Sequence, residues 1–289
     1  MRRLIVNADD FGLTAGVNRG IMEAHSGGIV TSSTLIASAS ALDDALRVAG
    51  SSPALSLGCH VVLVDGAPML DSRRASTLLN RKRDGQFEEG IAGFAMRVLR
   101  GKIDADQVEA EVTAQIRKLQ SAGVQVSHLD THKHTHIFPQ VLRPILRAAR
   151  TCGVRAIRNP FGRVAFSQIA SRPGLWKRYG QVKMLNAWAA AFSQAVADSG
   201  MRTPDGSLGV VATGSLDDQL LRLILENLPE GTWELVCHPG YNDDALRKVR
   251  TRLRGSREVE LRLLTSAAAR KWLGQGGVQL ISYYDLAAS

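Results

Sequence analysis

Nowhere in its 289 residues does the chain carry a run of about 18 apolar side chains, the length a membrane-spanning helix needs. A transmembrane class is therefore not expected. Leu4–Ala8 follows two arginines but is too short for the apolar region of a signal peptide, and Asp9 and Asp10 come at once after it. The mature protein is thus expected to start at Met1 and to stay in the cytoplasm. Cysteine is scarce: Cys59, Cys152 and Cys237 are odd in number and show no CxxC spacing. That argues against a disulfide framework and fits a reducing compartment. Aromatic residues make up only 5% of the chain and do not interleave with its basic groups. A stacking surface for single-stranded nucleic acid is not expected on that ground, nor is a nucleic-acid partner. Acids are outnumbered, 27 against 36 Lys and Arg, for a net charge of +9. The densest basic groups are Arg73-Arg74 with Arg81-Lys82-Arg83, and the run Arg247, Lys248, Arg250, Arg252, Arg254 and Arg257. They read first as a solvated basic face and second as attraction to an anionic membrane surface. Internal repeats, low-complexity segments and a dividing linker are also lacking, so one domain is expected.

What is there is an alternation of β-branched apolar runs with helical patterns. Strands are predicted at Leu4–Ala8, Ile29–Ile36, Leu55–Leu63, Val124–Leu129, Val154–Ile157, Leu208–Ala212, Leu235–Cys237 and Val278–Ser282. Helices are predicted at Val17–His25, Ala41–Gly50, Asp104–Ala122, Pro139–Cys152, Leu175–Ser199, Asp217–Asn227 and from Arg257 to about Leu273. Such alternation implies an α/β fold with a mostly parallel sheet, and the number of units suits a distorted (β/α) barrel in a single domain. Two segments break the rhythm. Residues 65–86 read as an inserted loop, and residues 175–209 read as a second insertion with Trp176, Tyr179 and Trp188 on a helical pattern. Those aromatics fit helix packing, or else an apolar cover over a substrate or lipid.

Four chemically loaded stretches fall at predicted strand ends: "NADD" (Asn7–Asp10), "CHVV" (Cys59–Val62), "HLDTHKHTH" (His128–His136) and "CHPG" (Cys237–Gly240). In α/β sheets and barrels, sites form at the carboxyl ends of strands, so these stretches are expected to converge. Adjacent Asp9 and Asp10 suit a division of labour, one carboxylate binding a cation and the other taking a proton. His60 and His238 each directly follow a cysteine. Strand neighbours point to opposite faces, so with the histidines in a site the thiols face the packing layer behind it. The third stretch holds His128, His132, His134 and His136, four of the chain's seven histidines, together with Asp130. Several imidazoles beside carboxylates suggest one divalent metal. A catalytic site takes about three protein ligands and keeps a position for water, so the remaining histidines are left with supporting or substrate roles.

Taken together, "IVNADDFGLT", "GVNRGI", "GIVTSSTLIA", "LGCHVVL", "SHLDTHKHTHIFPQV" and "CHPG" resemble the successive blocks of the YdjC-like carbohydrate (chito-oligosaccharide) deacetylases. The blocks run through nearly the whole chain. The resemblance implies a distorted (β/α) barrel and a metal-dependent hydrolase that removes the acetyl group from N-acetylated sugars. Carried over by position, it implies Asp10, His60 and His132 as metal ligands, Asp9 as catalytic base and His238, as an imidazolium, as acid. His128, Asp130, His134 and His136 are left as substrate contacts or support. Lys133 stands where the family often has a histidine that is not one of the ligands. The stretch "CHVVLVDGAPML" and the long second insertion are similar to the hopanoid-biosynthesis branch, which implies a lipid-linked N-acetylglucosaminyl substrate at the inner membrane face. The implied metal is Mg²⁺ or Zn²⁺; a homodimer is left open. Competing readings are a deacetylase of soluble chito-oligosaccharides, a metal-dependent phosphoesterase, and a non-catalytic metal- or sugar-binding module.

Overall fold

The computed structural model describes residues 1–80, 82, 85–162 and 170–288. Arg81 and Arg83, and with them part of the 65–86 segment, lie outside the described residues. Among the described residues eight strands form one sheet: β1 (Arg2–Phe11), β2 (Ser32–Leu35), β3 (Ser56–Val61), β4 (His128–Thr131), β5 (Ala156–Ile157), β6 (Gly206–Leu208), β7 (Gly231–Cys237) and β8 (Val278–Leu280). The first helices are α1 (Ala15–Ser26), α2 (Leu42–Ala49), α3 (Gly90–Leu99), α4 (Ala105–Ser121), α5 (Pro139–Thr151) and α6 (Pro173–Leu185). They are followed by α7 (Ala189–Ser199), α8 (Asp218–Glu226), α9 (Asp244–Lys248), α10 (Gly255–Thr265), α11 (Ala267–Gln275) and α12 (Tyr283–Ala288). Among the described residues no helix is long and apolar enough to cross a membrane.

Every ladder is parallel, in the order β5-β4-β3-β2-β1-β7-β6. β8 pairs with the first residues of β1, Arg2–Leu4, whereas β2 pairs further along, from Asn7. The outermost strands β5 and β6 meet through irregular backbone instead of a ladder. Ile157 N donates to Arg202 O at 2.9 Å, Arg202 N to Arg155 O at 2.8 Å, and Ser207 N to Phe161 O at 3.0 Å. The sheet is therefore a half-barrel drawn shut by loop hydrogen bonds, a distorted (β/α) barrel as the sequence implied.

Strand parity sorts the side chains into two layers. Leu4, Val6, Ala8, Cys59, Val61, Leu129, Leu235 and Cys237 belong to the large outer core with the helices. The opposite parity lines the barrel interior and is mostly polar: Asn7 and Asp9, Ser32 and Thr34, His60, His128 and Asp130, and Glu234, all buried. The amino end of the barrel is closed by α12, whose Tyr283 and Leu286 pack with Ile5 and Ala156 in a small separate apolar cluster. Cys59 and Cys237 lie behind the histidines that follow them, and burial pushes both thiols well up from their ordinary range.

Local departures from the sequence reading have local causes. β6 ends at Leu208, where the predicted strand begins, because Gly209 turns the chain with φ +85°. β4 starts only at His128 and runs on through Asp130 to Thr131. The long helix predicted over 175–199 is two, α6 and α7, joined by a 3-10 turn at Asn186–Trp188. The predicted helix from Arg257 divides at Ser266, whose extended backbone ends α10 and whose Oγ caps α11 at Ala269 N, 3.1 Å. α3 was not expected at all. Asp104, the first residue of the predicted helix, caps α4, accepting from Asp106 N at 2.8 Å, and the left-handed Gly123 follows its end.

One glycine is fixed by the polar layer. A Cβ on Gly58 of β3 would lie 2.5 Å from the His128 ring, which is itself stacked on Tyr283 at 3.6 Å between centroids. The ring has no room to retreat. Gly58→Ala is expected to cost about 1–3 kcal/mol of stability through overpacking, read from urea unfolding midpoints; an unchanged midpoint would contradict this packing.

Candidate active site

The carboxyl ends of β1, β3, β4 and β7 bring the four loaded stretches together. Asp10 Oδ1, His60 Nε2 and His132 Nδ1 form a triangle with edges of 3.6 Å (Asp10–His60), 3.4 Å (His60–His132) and 3.8 Å (Asp10–His132). Three ligands about 2.1 Å from one ion and roughly tetrahedral to each other would be spaced in this way. The donor set therefore fits a divalent metal. The second oxygen of Asp10 is held by the buried Arg257 Nη2, which leaves Oδ1 as its free donor. His60 Nδ1 is 2.7 Å from Asp130 Oδ1, so a proton on Nδ1 points to the carboxylate, and with an ion in place of the Nε2 proton the Nε2 lone pair would serve as ligand. His132 Nε2 lies 3.8 Å from Asp65 Oδ2, a partner that favours the lone pair on Nδ1. His132 is the most open of the three, its side chain 29% exposed.

Beside this triangle sits Asp9. Arg158 Nη1 and Nη2 donate to its two oxygens at 2.9 and 2.6 Å, and Asn7 Nδ2 donates to Oδ1 at 3.0 Å. His238 Nε2 is 3.8 Å from Asp9 Oδ2. Burial alone would raise the Asp9 pKa, but the Arg158 guanidinium, with smaller help from His60 and His238, outweighs it and holds the carboxyl well below its usual range. Asp10 is treated alike: burial opposes its charge, and Arg257 with the site histidines wins, lowering it. Burial also opposes a charged His60, yet Asp130, Asp9 and Asp10 together push it up to about 9. His238 goes the other way. Desolvation dominates there and lowers it to about 4, against the pull of Asp9 and Asp10. Its backbone N–H is fixed by Glu260 at 2.5 Å, and its Nδ1 is buried without a hydrogen-bond partner among the described residues.

The other residues of the histidine run divide. His128 is fully buried, bonded to Ser127 Oγ at 2.8 Å and Asn7 Oδ1 at 3.1 Å. His136 is also fully buried, against Thr131 Oγ1 at 2.7 Å and Arg158 O at 3.2 Å. Both support the site from inside, out of reach of a substrate. Asp130 bridges His60, Thr34 Oγ1 (3.0 Å) and Arg158 Nη1 (2.6 Å). His134 is part-buried beside His136, and its Nδ1 has no partner among the described residues. Lys133 turns outward and pairs with Asp65. Among the described residues four non-glycine residues have positive φ, namely Asp10 (70°), Asp65 (60°), Lys133 (55°) and His134 (53°), and all four are in this site. Backbone strain of that kind persists only where surroundings enforce it.

Several residues here escaped the sequence reading. Arg158 follows the two-residue β5 and is fully buried; it donates three hydrogen bonds to Asp9 and Glu234 and pairs at close range with Asp130 as well. The one available signal was Glu234, an acid inside the apolar "TWELVC" of β7: a buried carboxylate asks for a buried cation. Arg257, read with the exposed basic run, is instead wholly buried on Asp10. A separate groove of about 1080 Å³, lined by Thr77, Asn80, Lys82, Arg97 and Lys102 among others, contains none of these site residues.

A carbohydrate deacetylase of Listeria monocytogenes is 30% identical over 98% of this chain and 100% of its own. One of Thermoanaerobacter pseudethanolicus is 27% identical, covering 98% of each chain. The crystal structure of a putative cellobiose-phosphate cleavage protein from Enterococcus faecalis is 26% identical and superposes with a TM-score of 0.79, covering 99% of this chain and 98% of that one. A lactam utilization protein from Thermus thermophilus shares the fold at 15% identity and a TM-score of 0.51. The model of the family described as YdjC-like protein matches residues 3–275, and the chain is an enzyme belonging to that family.

Proposed function

We propose that this chain is a metal-dependent deacetylase that hydrolyses the acetamido group of an N-acetylglucosamine-type sugar, giving acetate and the free amine. The observation that carries the reading is the Asp10–His60–His132 triangle set against the Asp9–His238 pair, in a chain with full-length relatives named carbohydrate deacetylases. A divalent ion held by those three residues would polarise the amide carbonyl and make a bound water acidic. Two imidazoles and one carboxylate favour Zn²⁺ over Mg²⁺, which prefers oxygen.

The chain's own residues move the protons. Asp9, as base, takes one from the attacking water. Its carboxyl is held acidic by Arg158, so it is a poor resting place for that proton. His238 starts neutral at neutral pH, since burial keeps it near 4; here the reading departs from a resting imidazolium. The proton therefore passes from Asp9 Oδ2 to His238 Nε2, 3.8 Å away, and on to the departing amine nitrogen, which needs it to leave. Arg158 and Asn7 keep Asp9 aimed throughout, and Asp130, by accepting from His60 Nδ1, would leave Nε2 free to hold an ion. His134, with its unpaired Nδ1, is assigned to substrate.

The sugar is proposed to be lipid-linked, an N-acetylglucosaminyl hopanoid presented at an anionic membrane surface. Two features support this. No acid occurs between Asp130 and Asp198, and α6, within that span, exposes Trp176 and Met184 beside Lys177 and Lys183. The 65–86 and 175–209 segments are proposed as insertions on a single domain. The test is acetate and phosphate release by metal-loaded protein on N-acetylglucosaminyl lipid, chito-oligosaccharides and phosphate esters. Acetate without phosphate supports the reading, with lipid preferred over soluble sugar; phosphate release in place of acetate would make the chain a phosphoesterase.

A further inference from the structure

The family match ends at residue 275, before β8 and α12. Yet α12 sends one side chain into the barrel. Tyr283 is fully buried, and its hydroxyl donates to Glu234 Oε2 at 2.7 Å. Glu234 Oε1 accepts from Arg158 Nε at 2.9 Å, and Arg158 grips both oxygens of Asp9. On its other side the Tyr283 ring lies flat on His128, 3.6 Å between centroids and 7° from parallel. His128 Nε2 meets Asn7 Oδ1, and Asn7 Nδ2 donates back to Asp9. The six residues Tyr283, Glu234, Arg158, Asp9, Asn7 and His128 thus form a closed ring, with Asp9 at one side and Tyr283 opposite.

We propose that Tyr283 is a positioning residue for Asp9, acting through Glu234 and Arg158 on one arm and His128 and Asn7 on the other. The inference rests on the reading of Asp9 as the base. Glu234 holds the Nε edge of Arg158, so the guanidinium cannot swing off Asp9. Glu234 in turn depends on the phenol. Its Oε2 also accepts from Ser207 Oγ at 3.2 Å, a hydroxyl whose single hydrogen is shared with the nearer Asn159 O at 2.6 Å. Without the Tyr283 hydroxyl, a fully buried carboxylate oxygen would be left with only the longer, shared Ser207 hydroxyl, and would have to move, draw that hydrogen from Asn159 O or take a proton. Each outcome alters the grip on Asp9. The segment beyond the family match therefore completes the polar layer from below.

The test is Tyr283→Phe, which keeps the stacked ring and removes only the hydroxyl. We expect kcat for acetate release to fall about tenfold with KM and metal content unchanged. In an Asp9→Asn background the same change should alter residual turnover by less than about twofold, because Tyr283 acts through Asp9. An unchanged kcat, or an equal fall in both backgrounds, would overturn the proposal. Should the unmodified protein release no acetate, the deacetylase reading fails by itself, and crystal structures decide the positioning claim. A lost or rotated Arg158–Asp9 pair in Tyr283→Phe upholds it, and an unmoved pair overturns it. If that variant does not fold, Glu234→Gln, which keeps the side-chain shape, is read by the same criteria.

Discussion

Replacing Arg158 with methionine is expected to cost about 3–5 kcal/mol of folding free energy at neutral pH, because three buried carboxylates lose the cation they share. Asp9, Asp130 and Glu234 all contact the guanidinium. The loss should depend on pH, with a definite sign. Burial already raises Glu234 above its ordinary value while Arg158 opposes the shift, so removing the arginine raises it further. A carboxyl with a raised folded pKa binds its proton more tightly when folded. Its stabilising effect is full below the unfolded pKa and is lost as pH rises through the folded one. Urea midpoints of Arg158→Met should therefore be closer to those of the unmodified protein at pH 5 than at pH 8. A gap that widens toward acid would contradict the network as drawn.

The second large effect is catalytic. His132→Ala should remove bound metal and lower acetate release about a thousandfold or more, since an ion of this kind supplies several kcal/mol to the transition state. The fold should survive, because His132 is the most exposed of the three proposed ligands and lies on a 3-10 turn outside the sheet. Metal analysis and a melting curve on the same sample separate the two outcomes. Lost activity with a full complement of metal would place the ion elsewhere.

Most of the architecture was legible from strand and helix periodicity, and the four loaded stretches do meet at the carboxyl ends of their strands. Parity carried much of that: Cys59 behind His60 and Cys237 behind His238 follow from the pleat alone. What stayed hidden is the charge balance. Arg158 stands one residue beyond a two-residue strand, too short for any periodicity to show that its side chain points inward. Arg257 sits in a run of arginines whose other members are solvated, and its burial comes from α10 packing against the site. Tyr283 belongs to the last short helix, and its insertion into the barrel depends on β8 joining the first residues of β1. These are long-range placements, made by packing and not by local pattern. The same holds for His128 and His136, whose spacing matches that of His132 but whose rings are sealed inside the barrel wall.

The central claim is that one ion held by Asp10, His60 and His132 drives amide hydrolysis. Its most direct test is to strip the unmodified protein with a chelator and restore Zn²⁺ in steps while acetate release from an N-acetylglucosaminyl substrate is followed. The account predicts no release from the stripped protein and a linear recovery that levels off at one ion per chain. Full acetate release by the stripped protein would contradict it.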